Sequence, residues 1–195
     1  MQRIGLFGGS FDPVHSGHRK MTTSFLNSGR IDRLWILPSA SPPHKGHKDL
    51  APYGLRCKMV EAAFLNWPDV KVVRIEEQLP APNYTLHTVR RLKHDYPDAR
   101  FLLCLGSDSL QQITSWYRYR ELFGECRLLV AKRPGVHLIS IPDEASVDFV
   151  DHEPVSISSS EVRSMIGRGE PVGDLLPPEV VKIIDAAGLY RRPAP

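Results

Sequence analysis

The densest chemistry in the chain lies in GGSFDPVHSGH, residues 8–18. Gly8 and Gly9 lead into Ser10, Phe11, Asp12 and Pro13, and two imidazoles, His15 and His18, follow three positions apart. The apolar run before them, IGLF at residues 4–7, reads as a buried strand. Glycine lets a backbone turn sharply and come close to a ligand. A helix starting near Gly17 would aim its free N–H groups and its positive dipole end back at the strand tip, a geometry that binds phosphate. Both histidines stand at that end, and imidazole N–H groups donate to phosphate oxygens.

Taken singly, either histidine could be a capping or solvent-facing residue. His-x-x-His also occurs among zinc ligands, but no third ligand and no glutamate base stand nearby. The string is neither the GxxxxGK[ST] of a P-loop nor the GxGxxG of a dinucleotide site, since the glycines in and just before its start are Gly5, Gly8 and Gly9. A second cluster, SISSSEVR at 156–163, crowds serines at a helix start. Ser158 can be its N-cap, with Glu161 completing a capping box. Arg163 is either a solvated helix residue or a two-pronged phosphate grip, and the serines beside it favour the grip.

The elements that must position these residues alternate. Strands are expected at 4–7, 33–37, 70–75, 101–105, 128–131 and 148–150, and helices at about 17–26, 53–65, 84–95 and 116–123. Two further helices close the chain, one from Ser158 and one over 178–187, entered by proline and left at Gly188. Strand alternating with helix at this pitch predicts a parallel sheet covered on both faces, with its cleft at the carboxyl ends of the strands. The unusual segments follow strands one, two, four and five and should meet there.

Length and composition bound the rest. The chain has 195 residues, 42% of them hydrophobic, enough for one domain with a sizeable core. A net charge of +3 is too mild to argue for nucleic acid or an anionic membrane. Cys57, Cys104 and Cys126 form no CxxC pair, which argues against a disulfide framework and for a reducing compartment, the cytoplasm. No apolar run resembles a signal h-region or approaches a membrane span.

The opening string resembles the (T/H)xGH signature of the nucleotidyltransferase superfamily, and SISSSEVR resembles its ISSTxxR motif. LPSASPPHK (37–45), NYTLHTVRRL (83–92), GSDSL (106–110), SWYRYREL (115–122) and AKRPG (131–135) are similar, in order, to the bacterial nicotinate-mononucleotide adenylyltransferases. The resemblance implies an α/β fold: a Rossmann-like doubly wound parallel sheet with a small C-terminal helical extension. It also implies one nucleotidyltransferase domain over 1–195, its helical C-terminal part at about 156–190. The implied reaction joins ATP and nicotinate mononucleotide, giving deamido-NAD and pyrophosphate in NAD biosynthesis. The attacking phosphate is already ionised, so positioning and charge stabilisation carry the catalysis.

In family terms His15 and His18 hold the triphosphate, His18 nearest the reacting phosphorus. Gly8, Gly9, Ser10 and Phe11 supply the wall, Ser158 and Arg163 bind phosphates, and Lys45, beside His44 on a proline-rich loop, leans over them. Gly106 and Asp108 lie on the nucleotide side, where Asp108 either accepts ribose hydroxyls or caps a helix. Trp116 would stack on the pyridine ring, or be an ordinary core or surface tryptophan, with Tyr117 beside it. Tyr84 and Thr85, at a helix start, suit the carboxylate, and Arg133 suits the mononucleotide phosphate. Ser39 departs from the family, which often has asparagine there, and leaves that contact open. Mg²⁺ is expected with ATP, held mainly by phosphates and water, with no dedicated metal ligands. Oligomeric state is left open, homo-oligomers included. Rival readings are an adenylyltransferase for phosphopantetheine, FMN or nicotinamide mononucleotide, and a non-catalytic nucleotide binder. A dehydrogenase is disfavoured by the missing GxGxxG.

Overall fold

The computed structural model describes residues 1–43, 50–132, 141–153 and 155–191. Lys45, with its neighbour His44, and Arg133 lie outside them. The strands are β1 (Gln2–Gly9), β2 (Arg33–Pro38), β3 (Val70–Val72), β4 (Ala99–Gly106), β5 (Arg127–Lys132) and β6 (Val147–Asp151). The α-helices are α1 (Ser16–Asn27), α2 (Tyr53–Ala63), α3 (Thr85–Asp95), α4 (Ser107–Gln111), α5 (Tyr119–Glu125), α6 (Ser159–Gly167) and α7 (Pro178–Ala187).

All strand pairs are parallel, and the sheet runs β3-β2-β1-β4-β5-β6. The chain builds outward from β1 to β3, then returns to lay β4 against the other side of β1. Strand order therefore reverses between β1 and β4, and a crevice opens at their carboxyl ends, where doubly wound sheets bind ligands. Successive residues of the central strands point to opposite faces and bury on both. Phe7, Ile36, Leu102 and Cys104 enter one apolar layer with Phe25 and Met59. Leu6, Trp35, Leu37, Leu103 and Leu105 enter the other with Leu86, Val89 and Leu122.

The closing helices join the first of these layers. Val162 of α6 and Val180 and Ile184 of α7 are buried in it, and α7 packs on α2. Gly188 ends α7 at φ 60, the left-handed conformation glycine adopts without steric cost.

Four local expectations need correction. The third strand stops at Val72, because a 3-10 helix, Ile75–Gln78, takes over and drops Ile75 into the core. The helix expected over 116–123 starts only at Tyr119, after a 3-10 turn, Ile113–Ser115, that leaves Trp116 in extended backbone. Ser158 caps α6 as expected, accepting the Glu161 N–H at 3.2 Å, but the reciprocal half of the capping box is not formed. Asp108 is not an N-cap: Gly106 takes that position and Asp108 sits exposed in the first turn of α4.

Candidate active site

The glycines that end β1, Gly8 and Gly9, work by close approach, not by the expected sharp turn. β1 continues through Gly9, and neither Gly8 nor Gly9 has a positive φ. A Cβ at Gly8 would meet no protein atom within 4 Å, so the backbone there faces open cavity. The turn itself is made by Phe11, at φ 47. A phenylalanine tolerates this strained region because its ring is held: it is 1% exposed, edge-on to Phe7 and to the His18 ring, with centroids 5.6 and 4.9 Å apart. Phe11 thus supports His18 from beneath instead of walling the cavity with its side chain.

His15 is the N-cap of α1, and its carbonyl accepts the N–H groups of His18 and Arg19. Its own N–H donates to His18 Nδ1 at 3.2 Å. A backbone N–H can only donate, so Nδ1 holds a lone pair and the His18 proton resides on Nε2. The two rings lie 3.8 Å apart between centroids. Gly17 makes room for this: a Cβ there would stand 3.0 Å from the His15 ring and 3.2 Å from Ile157. His15 is buried, its Nδ1 has no hydrogen-bond partner among the described residues, and burial holds its pKa down at about 4. One helix donor is already taken, since the Ser16 N–H bonds to the Leu175 carbonyl at 2.9 Å.

The second motif docks onto the first. Arg163 Nη1 donates to the Asp12 carbonyl at 2.7 Å and lies 3.6 Å from its Oδ2, while Nη2 reaches Ser160. Ser159 donates to the Pro13 carbonyl at 3.0 Å. Arg163 is therefore not a freely solvated residue; it fixes α6 to the turn after β1. Asp12 is the hub: its Oδ1 accepts from the Ala51 N–H and the Tyr190 hydroxyl, and its side chain is fully buried. Arg56, 1% exposed, completes the ring by donating to the carbonyls of Ser10 and Ala51.

Beside this lies a cavity of about 290 Å³. Gly8, Gly9, Ser10 and Ser39 line it together with Tyr84, Thr85, Trp116 and Tyr117. Eight residues expected from sequence thus converge. Tyr84 and Tyr117 stack at 4.2 Å and 22°, and Trp116 is half-buried against the second apolar layer. His15, His18, Ser158 and Arg163 gather around the adjoining start of α1, outside the cavity wall, and Asp108 is not on that wall either.

Sequence reading overlooked Asp12, Arg56, Glu76, Asn83 and Tyr190. Asp12 had a signal, a carboxylate inside an otherwise apolar turn. Glu76 had none, because a glutamate in IEEQ looks like any solvated charge. It is 8% exposed, on the cavity wall, and burial raises its pKa.

A cytidylyltransferase-like family model matches residues 6–165. The chain belongs to that family. The nicotinate-nucleotide adenylyltransferase of Bacillus subtilis (strain 168) is 32% identical to it over 190 residues, covering 97% of this chain and 99% of the relative. A protein of Shouchella clausii named probable nicotinate-nucleotide adenylyltransferase is 36% identical, over 97% of each chain. Among solved structures, Plasmodium falciparum nicotinic acid mononucleotide adenylyltransferase complexed with NaAD has a TM-score of 0.83 at 21% identity, covering 97% of this chain and 98% of that one, a likeness of fold. The cytidylyltransferase-like span holds both the turn after β1 and the start of α6, whereas Tyr190 lies beyond it.

Proposed function

We propose that this cytidylyltransferase-like chain is a nicotinate-nucleotide adenylyltransferase. It joins the adenylyl group of ATP to nicotinate mononucleotide, forming deamido-NAD and releasing pyrophosphate. The observation that carries the reading is the juxtaposition of an aromatic cavity end, Tyr84, Trp116 and Tyr117, with the histidine-bearing turn after β1. A phosphate oxygen of the mononucleotide attacks the α-phosphorus, and the bond to the β-phosphate breaks as pyrophosphate leaves. No side chain needs to remove a proton, so the protein's task is alignment and stabilisation of charge.

His18, with its proton on Nε2, donates to the reacting phosphate, and His15 and Ser158 line the path of the triphosphate. Gly8, Gly9 and Ser10 let the nucleotides pass close to the backbone. Phe11 contributes its backbone and the support beneath His18. Arg163 turns part of its fork from the Asp12 carbonyl to a phosphate. Gly106 and Asp108 serve the nucleotide, and Lys45 and Arg133 are assigned to phosphates on sequence alone. At the acceptor end the pyridine ring lies on Trp116, with its carboxylate towards Tyr84, Thr85 and the backbone near Tyr117.

The donor set around the turn is imidazole, hydroxyl and guanidinium, which suits phosphate oxygens better than a metal. Among the described residues no cluster of three His, Cys, Asp or Glu could hold a metal ion. Mg²⁺ would reach the site on ATP, held by phosphates and water, and neutralise charge there. Residues 1–195 act as one domain, a reading supported by the burial of α6 and α7 in the layer shared with β1 and α2. The buried thiols of Cys57, Cys104 and Cys126 suit the cytoplasm. No helix among the described residues is long and apolar enough to cross a membrane. The deciding experiment is pyrophosphate release from ATP with a panel of mononucleotides. Release with nicotinate mononucleotide is expected; its absence, or a preference for phosphopantetheine or FMN, would overturn the reading.

A further inference from the structure

Glu76 is a buried carboxylate on the cavity wall that no cation bonds among the described residues. Neutral donors hold it instead. Its Oε2 accepts from the Ser39 hydroxyl at 3.0 Å and the Ala40 N–H at 3.2 Å. Its Oε1 accepts from the Thr88 hydroxyl at 3.3 Å, a hydroxyl that also lies 3.4 Å from the Tyr84 carbonyl. Its backbone carbonyl accepts from Asn83 Nδ2 at 3.0 Å, while Asn83 Oδ1 accepts the Ser41 N–H at 2.6 Å. The Asn83 N–H in turn donates to the Ser41 carbonyl at 2.8 Å.

These bonds join two walls. Ser39, Ala40 and Ser41 are the backbone leaving β2, and Asn83, Tyr84 and Thr88 are the entry and first turns of α3. Below the cavity β2 and α3 share the second apolar layer, through Trp35 and Leu37 with Leu86 and Val89; past the end of β2 the walls are joined by the Glu76 carboxylate and, beside it, the Ser41–Asn83 bonds. Burying a carboxylate costs free energy unless its acceptors are filled. A site that maintains such a group does so for the geometry it imposes.

We infer that Glu76 is a positioning residue for the acceptor end of the cavity: its carboxylate clamps the backbone leaving β2 to α3 and so sets the width into which the mononucleotide fits. The inference rests on the proposed acceptor. It also explains Ser39. Its hydroxyl is engaged with Glu76, so Ser39 shapes the wall through the clamp instead of replacing asparagine as a direct ligand contact.

A clamp needs acceptors, not charge. In Glu76→Gln the amide oxygen can keep Ser39 and Ala40, and the NH₂ can donate to Thr88, whose hydroxyl then turns fully to the Tyr84 carbonyl. Glu76→Ala removes the clamp. The test is calorimetric binding of nicotinate mononucleotide together with steady-state kinetics for both substrates. Glu76→Ala should weaken mononucleotide binding about tenfold while KM for ATP stays within about twofold, and Glu76→Gln should stay within about threefold of wild type in both. Adding Ser39→Ala to Glu76→Ala should cost nothing further, since the two side chains act as one unit.

Equal damage to both substrates, additive loss in the double variant, or Gln as harmful as Ala would overturn the inference. Should Glu76→Ala fail to fold, Ser39→Ala and Thr88→Val take its place: each should raise KM for the mononucleotide alone, and unchanged values would overturn it equally. A wild-type enzyme that makes no dinucleotide from these substrates sinks the proposed function. An active wild type with an indifferent Glu76→Ala sinks only the clamp.

Discussion

The Tyr190 hydroxyl donates to Asp12 Oδ1 at 2.7 Å, so the end of α7 is tied to the turn after β1, 178 residues earlier in the chain. Asp12 passes the connection on, because its carbonyl accepts from Arg163 and its side chain lies beside Arg56. Burial and the Asp12 carboxylate both raise the Tyr190 pKa, so the hydroxyl keeps its proton and remains a donor at neutral pH. The C-terminal helices thereby brace the turn after β1.

Tyr190→Phe removes one donor and leaves the ring packed. Hydrogen bonds to buried charged groups contribute about 1.5–3 kcal/mol, so the thermal midpoint should fall by several degrees. KM for ATP should rise more than KM for the mononucleotide, because Asp12 anchors Arg163 and Glu76 does not depend on it. Melting curves and two-substrate kinetics on the folded variant check this; a fall in stability with both KM values unchanged would reduce Tyr190 to a structural role.

His15 predicts an acid-sensitive fold. Its pKa is about 4 in the folded chain against about 6.5 when unfolded. Above pH 6.5 the ring is neutral in both states and contributes nothing to pH dependence. Between 6.5 and 4 the unfolded chain binds a proton that the folded chain refuses, so stability falls with pH, by about 3 kcal/mol in all. Urea unfolding from pH 7 to 4.5 should show this slope, and His15→Asn should flatten it. Bound ATP should also flatten it, since a polyanion beside the ring favours the charged form.

The site was legible in sequence where ligand chemistry fixes residue type, and illegible where the fold does. Gly8, Gly9, His15, His18, Ser158 and Arg163 are candidates through their motifs and the resemblance those motifs carry, and the parallel sheet follows from the alternation of apolar runs. Glu76, Arg56 and Tyr190 are not such candidates. Each acts through hydrogen bonds spanning elements remote in sequence, such as Thr88 to Glu76 or Arg56 to Ser10, and a charged or aromatic residue read alone looks solvated or packed. Phe11 misled for a related reason: only the folded turn reveals that its backbone is left-handed and its ring faces inward. The short third strand shows tertiary burial of Ile75 overriding a run of β-branched residues.

Gly17→Ala tests the room made for His15. The added Cβ would lie 3.0 Å from the imidazole, tighter than ordinary contact, so the ring must shift and its 3.8 Å spacing from His18 must change. Ala is otherwise the better helix former by about 1 kcal/mol. Stability should therefore change little while turnover falls at least about tenfold, as for other small misplacements near a reacting centre. Unchanged turnover would mean that the ring spacing is irrelevant to the chemistry.

His18→Ala removes the Nε2 donor and the acceptor of the His15 N–H. In the proposed reaction the first loss bears on the transition state, and the second falls on a part-buried cap N–H that water can satisfy. Folding should survive, and kcat should fall on the order of 10²–10³-fold, the usual loss for a donor that meets developing charge. A folded variant with near wild-type kcat would remove His18 from the reaction.

The acceptor end should select acid over amide. On the proposed reading its aromatic surfaces, Tyr84, Trp116 and Tyr117, would take either pyridine ring, since stacking is indifferent to the substituent's charge. Selection must come from the polar wall, where Tyr84 and Thr85 open α3 and present backbone donors and the positive end of the helix dipole. A carboxylate accepts from those donors with both oxygens. A carboxamide offers one oxygen, and its NH₂ would meet N–H groups donor to donor, at a cost of about 1–3 kcal/mol, to which the lost charge-assisted bonds add. Nicotinate mononucleotide should therefore be preferred about a hundredfold or more in kcat/KM. Trp116→Ala should lower kcat/KM for both substrates and leave their ratio nearly unchanged. Equal efficiency with the two mononucleotides would show that the carboxylate does not meet the start of α3, and a ratio that collapses in Trp116→Ala would assign the selection to the aromatic wall.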